Sequence, residues 1–153
     1  MKLALIDIGS NTIRLLICDV SDDSSLKRLK SRRLVTRLAD NITQTQRLNK
    51  KGRHATLKGL LSFLQTCRTF NISHIYAIAT SAIRDSIDGK DFVNEIESKA
   101  GINVEVISGE QEAGLTYEGL KVFVTNNQST AIIDIGGGST EFIYLEGSSI
   151  IKE

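Results

Sequence analysis

The chain has 153 residues, about the size of one domain, and 41% of them are hydrophobic against 24% charged. That balance can bury a core and is too apolar for a disordered chain. The net charge of +1 conceals an asymmetry: residues 1–70 carry 14 Lys/Arg against 5 Asp/Glu, and residues 71–153 carry 5 against 13. No apolar run approaches the roughly 18 residues of a membrane span. Met1-Lys2 leads directly into Leu3–Ile6 and then Asp7, with no small-residue cleavage site, which argues against a signal peptide. The expected setting is the cytoplasm, with Cys18 and Cys67 as buried free thiols that match no metal-ligand spacing. Aromatic residues make up 5% and Trp is absent, so the stacking platforms of single-strand nucleic-acid binders are not expected.

In chain order, residues 3–8 and 12–20 read as two strands around a Gly9-Ser10-Asn11 turn, a hairpin. Leu26 to Leu38 returns as a third strand with Leu29, Leu34 and Val35 partly buried. Its cations Lys27, Arg28, Lys30, Arg32, Arg33 and Arg37 form either an ordinary solvated face or a stripe that steers a polyanion. Asn49 is suited to cap a helix whose stripe is Leu57, Leu60, Leu61, Leu64 and Cys67, ending near Phe70. A buried strand over Ile75–Ala79 follows, and then Asp88 as the cap of a helix with Phe92, Val93, Ile96 and Ala100 inward and Gly101 as its stop. Val104–Ile107 is a strand, and Ser108 with Gln111 fits the capping box of a helix running to about Phe123. The order of elements is α/β. The polar stretch Thr125–Ser129 divides the chain into a first domain, 1–124, and a linker with the opening hairpin of a second, 125–153.

An internal repeat supports that division. Ala4-Leu5-Ile6-Asp7-Ile8-Gly9 returns 127 residues later as Ala131-Ile132-Ile133-Asp134-Ile135-Gly136, with Thr12 falling on Ser139 and Leu15-Leu16 on Phe142-Ile143. The second copy is cut short, which leaves its strands with open edges and predicts a homodimer through residues 130–153.

The sharpest motif is Asp134-Ile135-Gly136-Gly137-Gly138-Ser139-Thr140-Glu141. Glycines between two strands let backbone N–H groups approach an anion, and the Ser139 and Thr140 hydroxyls add donors. Asp134 and Glu141 are oxygen ligands suited to a hard cation such as Mg²⁺. Asp7 is either a metal-site acid or a cap of its turn. Glu110 and Glu112 both lie in the first turn of a helix, where the dipole favours carboxylates in any case, and spacing does not choose between them. Arg84 has the planar fork that suits phosphate oxygens, or it forms a surface ion pair with Asp85 or Asp88.

Four motifs occur in order: Asp7-Ile8-Gly9-Ser10-Asn11-Thr12, Ala79 through Asp85, Ile107-Ser108-Gly109-Glu110-Gln111-Glu112-Ala113, and Asp134 through Glu141. Together they resemble the exopolyphosphatase / guanosine pentaphosphate phosphohydrolase (Ppx/GppA) family, from about residue 3 to the end. The resemblance implies an actin-like (ribonuclease H-like) α/β domain, a mixed five-stranded sheet with flanking helices, followed by a truncated second domain. It implies hydrolysis of a terminal phosphoanhydride of polyphosphate or pppGpp with Mg²⁺ or Mn²⁺. Glu112 matches the general base, Arg84 an arginine on the substrate phosphates, and Asp134, Glu141 and Glu112 the metal-binding acids. Gly9, Ser10 and Asn11, with Gly136, Gly137, Gly138, Ser139 and Thr140, match the two phosphate-binding loops. Because most of the second domain is missing, weak or no activity is expected of this chain alone. The alternatives are a non-catalytic phosphate- or nucleotide-binding module that self-associates, or a fragment of an actin-like ATPase or sugar kinase.

Overall fold

The computed structural model describes residues 1–22, 25–124 and 129–146, and the backbone alone for 149–152. The first hairpin forms as its pattern predicts: β1 (Lys2–Ile8) pairs antiparallel with β2 (Thr12–Val20), and β3 (Leu26–Val35) pairs with β2. Two parallel additions, β4 (His74–Ala79) beside β1 and β5 (Val104–Val106) beside β4, complete a mixed sheet of order β3-β2-β1-β4-β5. This is the mixed five-stranded, actin-like arrangement that the family resemblance implied.

Strand alternation decides which face is covered. Ala4, Ile6 and Ile8 of β1 and Ile13, Leu15 and Ile17 of β2 point to one side and are fully buried. They meet α2 (Lys50–Thr69) and α4 (Gly89–Ala100) through Leu60, Phe63, Phe92 and Ile96. Phe63, absent from the predicted stripe, is fully buried, whereas Leu61 is exposed on the outer side of the helix. The opposite face of the sheet leaves Leu5 and Tyr76 open, so β4 is buried on one side only. Val35 is exposed at the end of β3, where the strand stops short of the expected Leu38. Both cysteines are buried free thiols, and burial pushes each above the ordinary thiol range.

The caps follow the sequence with one exception. Asn49 accepts the Gly52 amide at 2.9 Å, Gly101 adopts φ 66° at the end of α4, and Ser108 and Gln111 form the reciprocal capping box of α5 (Gly109–Leu120). Asp88 precedes α4 but does not cap it with its side chain. Its carboxylate accepts from the Leu48 amide at 2.9 Å and from Arg53 at 3.3 Å, joining the start of α4 to the start of α2. Two helices had no sequence signal because each is about one turn long: α1 (Ile42–Thr45) and α3 (Ser81–Asp85).

A second, antiparallel sheet holds β6 (Ser129–Ile135), β7 (Thr140–Glu146) and β8 (Ser149–Lys152) in that order. The repeat is structural as well as sequential. Gly9 N–H donates to the Thr12 carbonyl at 3.0 Å, and Gly136 N–H donates to the Ser139 carbonyl at 3.0 Å. The helix assigned to the first domain packs on this second sheet, with Ala113 against Ile143 and Leu145 and with Tyr117, Val124 and Ile132 around them. By packing, the two units meet near Ser108, ahead of the polar stretch, of which residues 125–128 lie outside the described residues.

Candidate active site

The two glycine turns face each other and touch. Ser10 and Ser81 share a buried 2.8 Å hydrogen bond, and Gly138 lies against both hydroxyls. A β-carbon on Gly138 would come within 2.3 Å of Ser10 Oγ and 2.7 Å of Ser81 Oγ, and one on Gly137 within 3.0 Å of Asn11 Cβ. None of the three consecutive glycines has a positive φ; close approach of the other turn is what crowds a side chain at Gly137 and Gly138, and at Gly136 it is the carbonyl of its own turn's Ser139 at 3.2 Å.

Beside this contact lies a cleft of about 320 Å³, lined by the two turns and by Asp7, Glu112 and Asp134. Arg14, Arg33, Thr80 and Ser81 also line it. Each acid comes from a different element: Asp7 from the end of β1, Glu112 from the first turn of α5, and Asp134 from the end of β6. Burial raises the Asp7 carboxyl above the usual range; Arg14 opposes that shift and Asp134 adds to it. Burial likewise raises Glu112, opposed by its hydrogen bond to Arg84 and reinforced by the charges of Glu141 and Asp7. The cleft therefore brings three acids and two cationic side chains together.

The structure divides the predicted site residues into groups. Gly9, Ser10, Asn11, Gly136, Gly137, Ser139, Asp134 and Glu112 line the cleft. Gly138 forms the contact between the turns. Thr140 and Glu141 border a neighbouring hollow between α5 and β7, together with Gly109 and Glu110. Arg84 is not on the cleft wall. Its Nη1 donates to Glu112 Oε2 at 3.2 Å and to the Ile107 carbonyl at 3.1 Å, and its Nε donates to Asp85 Oδ1 at 3.2 Å. The surface ion pair and the site role thus coexist in one side chain, which reaches the candidate base rather than the phosphate loops.

The three-acid metal set of Asp134, Glu141 and Glu112 is not assembled. Among the described residues no three acids, histidines or cysteines converge to enclose a cation. Glu112 is turned toward Arg84, and Asp134 Oδ2 accepts from Thr116 Oγ1 at 3.0 Å. Asp134 and Glu141 do stand directly opposite each other across the β6–β7 pair. An all-oxygen pair of this kind fits Mg²⁺ or Mn²⁺ held jointly with water and phosphate, the usual habit of Mg²⁺, rather than in a protein cage.

Sequence reading passed over Arg14, Arg33, Thr116 and the Thr80–Ser81 step as site residues. Arg14 was within reach of it: the hairpin register sets Arg14 opposite Asp7, and the repeat maps that pair onto Glu141 opposite Asp134.

Comparison with known proteins agrees with this fold. Exopolyphosphatase 1 of Mycobacterium tuberculosis is 27% identical over 142 residues, covering 92% of this chain and 41% of that protein. The crystal structure of an exopolyphosphatase from Cytophaga hutchinsonii superposes with a TM-score of 0.93 at 28% identity, covering 99% of this chain and 49% of that one. An Aquifex aeolicus member of the Ppx/GppA family gives a TM-score of 0.83 at 30% identity, again over 99% of this chain and 49% of that one. The chain spans about half the length, or less, of these relatives. The profile of the Ppx/GppA phosphatase family matches residues 16–152, and the chain belongs to that family.

Proposed function

We propose that this chain forms the first half of a phosphoanhydride hydrolase site, acting on the terminal phosphate of inorganic polyphosphate or of pppGpp. The observation that carries the reading is the pair of matching turns meeting over a cleft that holds a half-buried, arginine-anchored glutamate. The relatives' exopolyphosphatase names support the substrate class.

In this reading the turn amides and the Ser10, Asn11 and Ser139 side chains hold phosphate oxygens. Glu112 accepts the proton of the attacking water. Its raised proton affinity makes it a stronger base than an exposed glutamate, and proton transfer by a positioned carboxylate contributes roughly 10²–10⁴-fold. Arg84 is a positioning residue: it fixes the carboxylate that receives the proton. A bound Mg²⁺ or Mn²⁺, taking Asp134 and Glu141 as protein ligands, would supply neutralisation of phosphate charge beside the acids.

The test is Mg²⁺-dependent phosphate release from long-chain polyphosphate and from pppGpp, with Glu112→Gln beside the wild type. The variant should lose at least about 100-fold in rate while retaining its circular dichroism spectrum. Equal rates in both proteins would remove Glu112 from the chemistry. Tripolyphosphate binding without release in either would favour a second reading, a phosphate-binding half lacking turnover.

A further inference from the structure

The cationic run on β3 is divided by strand alternation. Arg32 turns toward α2, where Nη1 donates to the Ser62 carbonyl at 3.0 Å and to Thr66 Oγ1 at 2.7 Å, and its guanidinium lies 5.2 Å from the Phe63 ring centroid. Lys30, opposite Ile17, belongs to that same helix-side face. Arg33 points the other way, into the cleft, and stands directly opposite Arg14. Two like charges facing each other across a strand pair are unfavourable unless an anion lies between them. The Arg33 side chain has no hydrogen bond or ion pair among the described residues.

A break in register extends this feature. The β2–β3 ladder shifts by one residue between Ile17 and Cys18, so Arg28, and not Leu29, stands opposite Cys18. Because side chains alternate, that shift moves Arg28 onto the cleft-side face with Arg33; an unbroken ladder would have placed it on the helix side with Arg32. Arg28 and Arg33 are both exposed, and Ser31 lies between them on the same face. No other strand lies beyond β3 at this edge of the described sheet. Their partners Arg14 and Cys18 are four strand steps apart, which sets the two arginines roughly 13 Å apart along the edge.

We propose that the cleft-side edge of β3, from Arg33 to Arg28, is a second subsite that binds the further phosphate groups of a linear oligophosphate whose end lies in the cleft. It selects chain-like polyanions over short ones. The proposal rests on the reading of the cleft as a phosphate site.

Binding to the full chain is measured by calorimetry at two salt concentrations, with sodium tripolyphosphate and long-chain polyphosphate as probes. Three variants are compared with the wild type: Arg28→Gln, Arg33→Gln and Lys30→Gln. Lys30→Gln removes the same charge from the opposite face of the same strand. Arg28→Gln should weaken long-chain binding about two- to fivefold, the worth of one exposed charge contact, and leave tripolyphosphate unchanged. Arg33→Gln should weaken both probes, and Lys30→Gln neither. Equal effects of Arg28→Gln and Lys30→Gln, or wild-type binding that does not distinguish the two probes, would overturn the subsite and leave the cleft intact. Failure of the wild type to bind either probe would overturn the phosphate reading of the cleft, and the subsite with it.

Discussion

Asp7 shows how one residue can serve the site at the expense of the fold. It is partly buried at the end of β1, opposite Arg14 and near Asp134, and burial raises its proton affinity in the native state. The folded chain therefore holds the Asp7 proton more tightly than the unfolded chain does. Its stabilising contribution is complete below the unfolded carboxylate range, near pH 3.9, and is lost as pH rises through the elevated native value. Asp7→Asn cannot lose a proton. Measured in EDTA, it should melt higher than the wild type at pH 7, and the gain should shrink to nothing as pH falls toward 3. A gain independent of pH would show that the effect is not one of titration. Glu112 carries the same sign of shift, and Arg84 holds its carboxylate at 3.2 Å, which suits it to the proposed role of base.

At the scale of elements, the site depends on two turns that the chain builds twice by the same local rule. A glycine amide closes on a carbonyl three residues later in each, and the flanking strands carry the acids to matching places. The turns are brought together by Gly138 seated on the Ser10–Ser81 hydrogen bond. Gly138→Ala inserts a methyl group within 2.3 Å of Ser10 Oγ, so either that hydrogen bond breaks or the turns separate. Tripolyphosphate affinity should fall about tenfold, the loss of roughly one charge-assisted hydrogen bond. The melting temperature should fall by a few degrees, because the hydrogen bond at risk is buried. Unchanged affinity would mean that the two turns need not meet to bind phosphate.

At the scale of the molecule, the described residues form two cores of unequal size. The larger uses only residues between Ala4 and Val104; the smaller joins Ala113 of α5 to Ile143 and Leu145 of the second sheet. Across the junction, Arg84 reaches Glu112 and the Ser10–Ser81 pair meets Gly138. A chain ending at Ile107 keeps the whole larger core. It should unfold cooperatively, with a midpoint within about 5 °C of the full chain. Loss of the cooperative transition would mean that α5 and the second sheet are needed to hold the first sheet together.

The sequence by itself determined what depends on neighbours along the chain. The hairpin around Gly9-Ser10-Asn11, the Asn49 and Ser108 caps, the Gly101 stop and the repeat between Asp7 and Asp134 all follow from turn chemistry, alternation and periodicity. Contacts between distant segments were decided by the tertiary structure. Arg84 is 28 residues from Glu112, and Ser10 is 71 from Ser81. No local preference directs a guanidinium to a carboxylate rather than to a phosphate, or sets two serines under a glycine. The side to which α5 packs was decided in the same way: Ala113 and Tyr117 lie against Ile143 and Leu145 of the second sheet, more than 20 residues further along the chain. The face on which Arg28 and Arg33 lie was decided by a one-residue slip between paired strands, because side-chain direction in a sheet is set by register and register belongs to the pair.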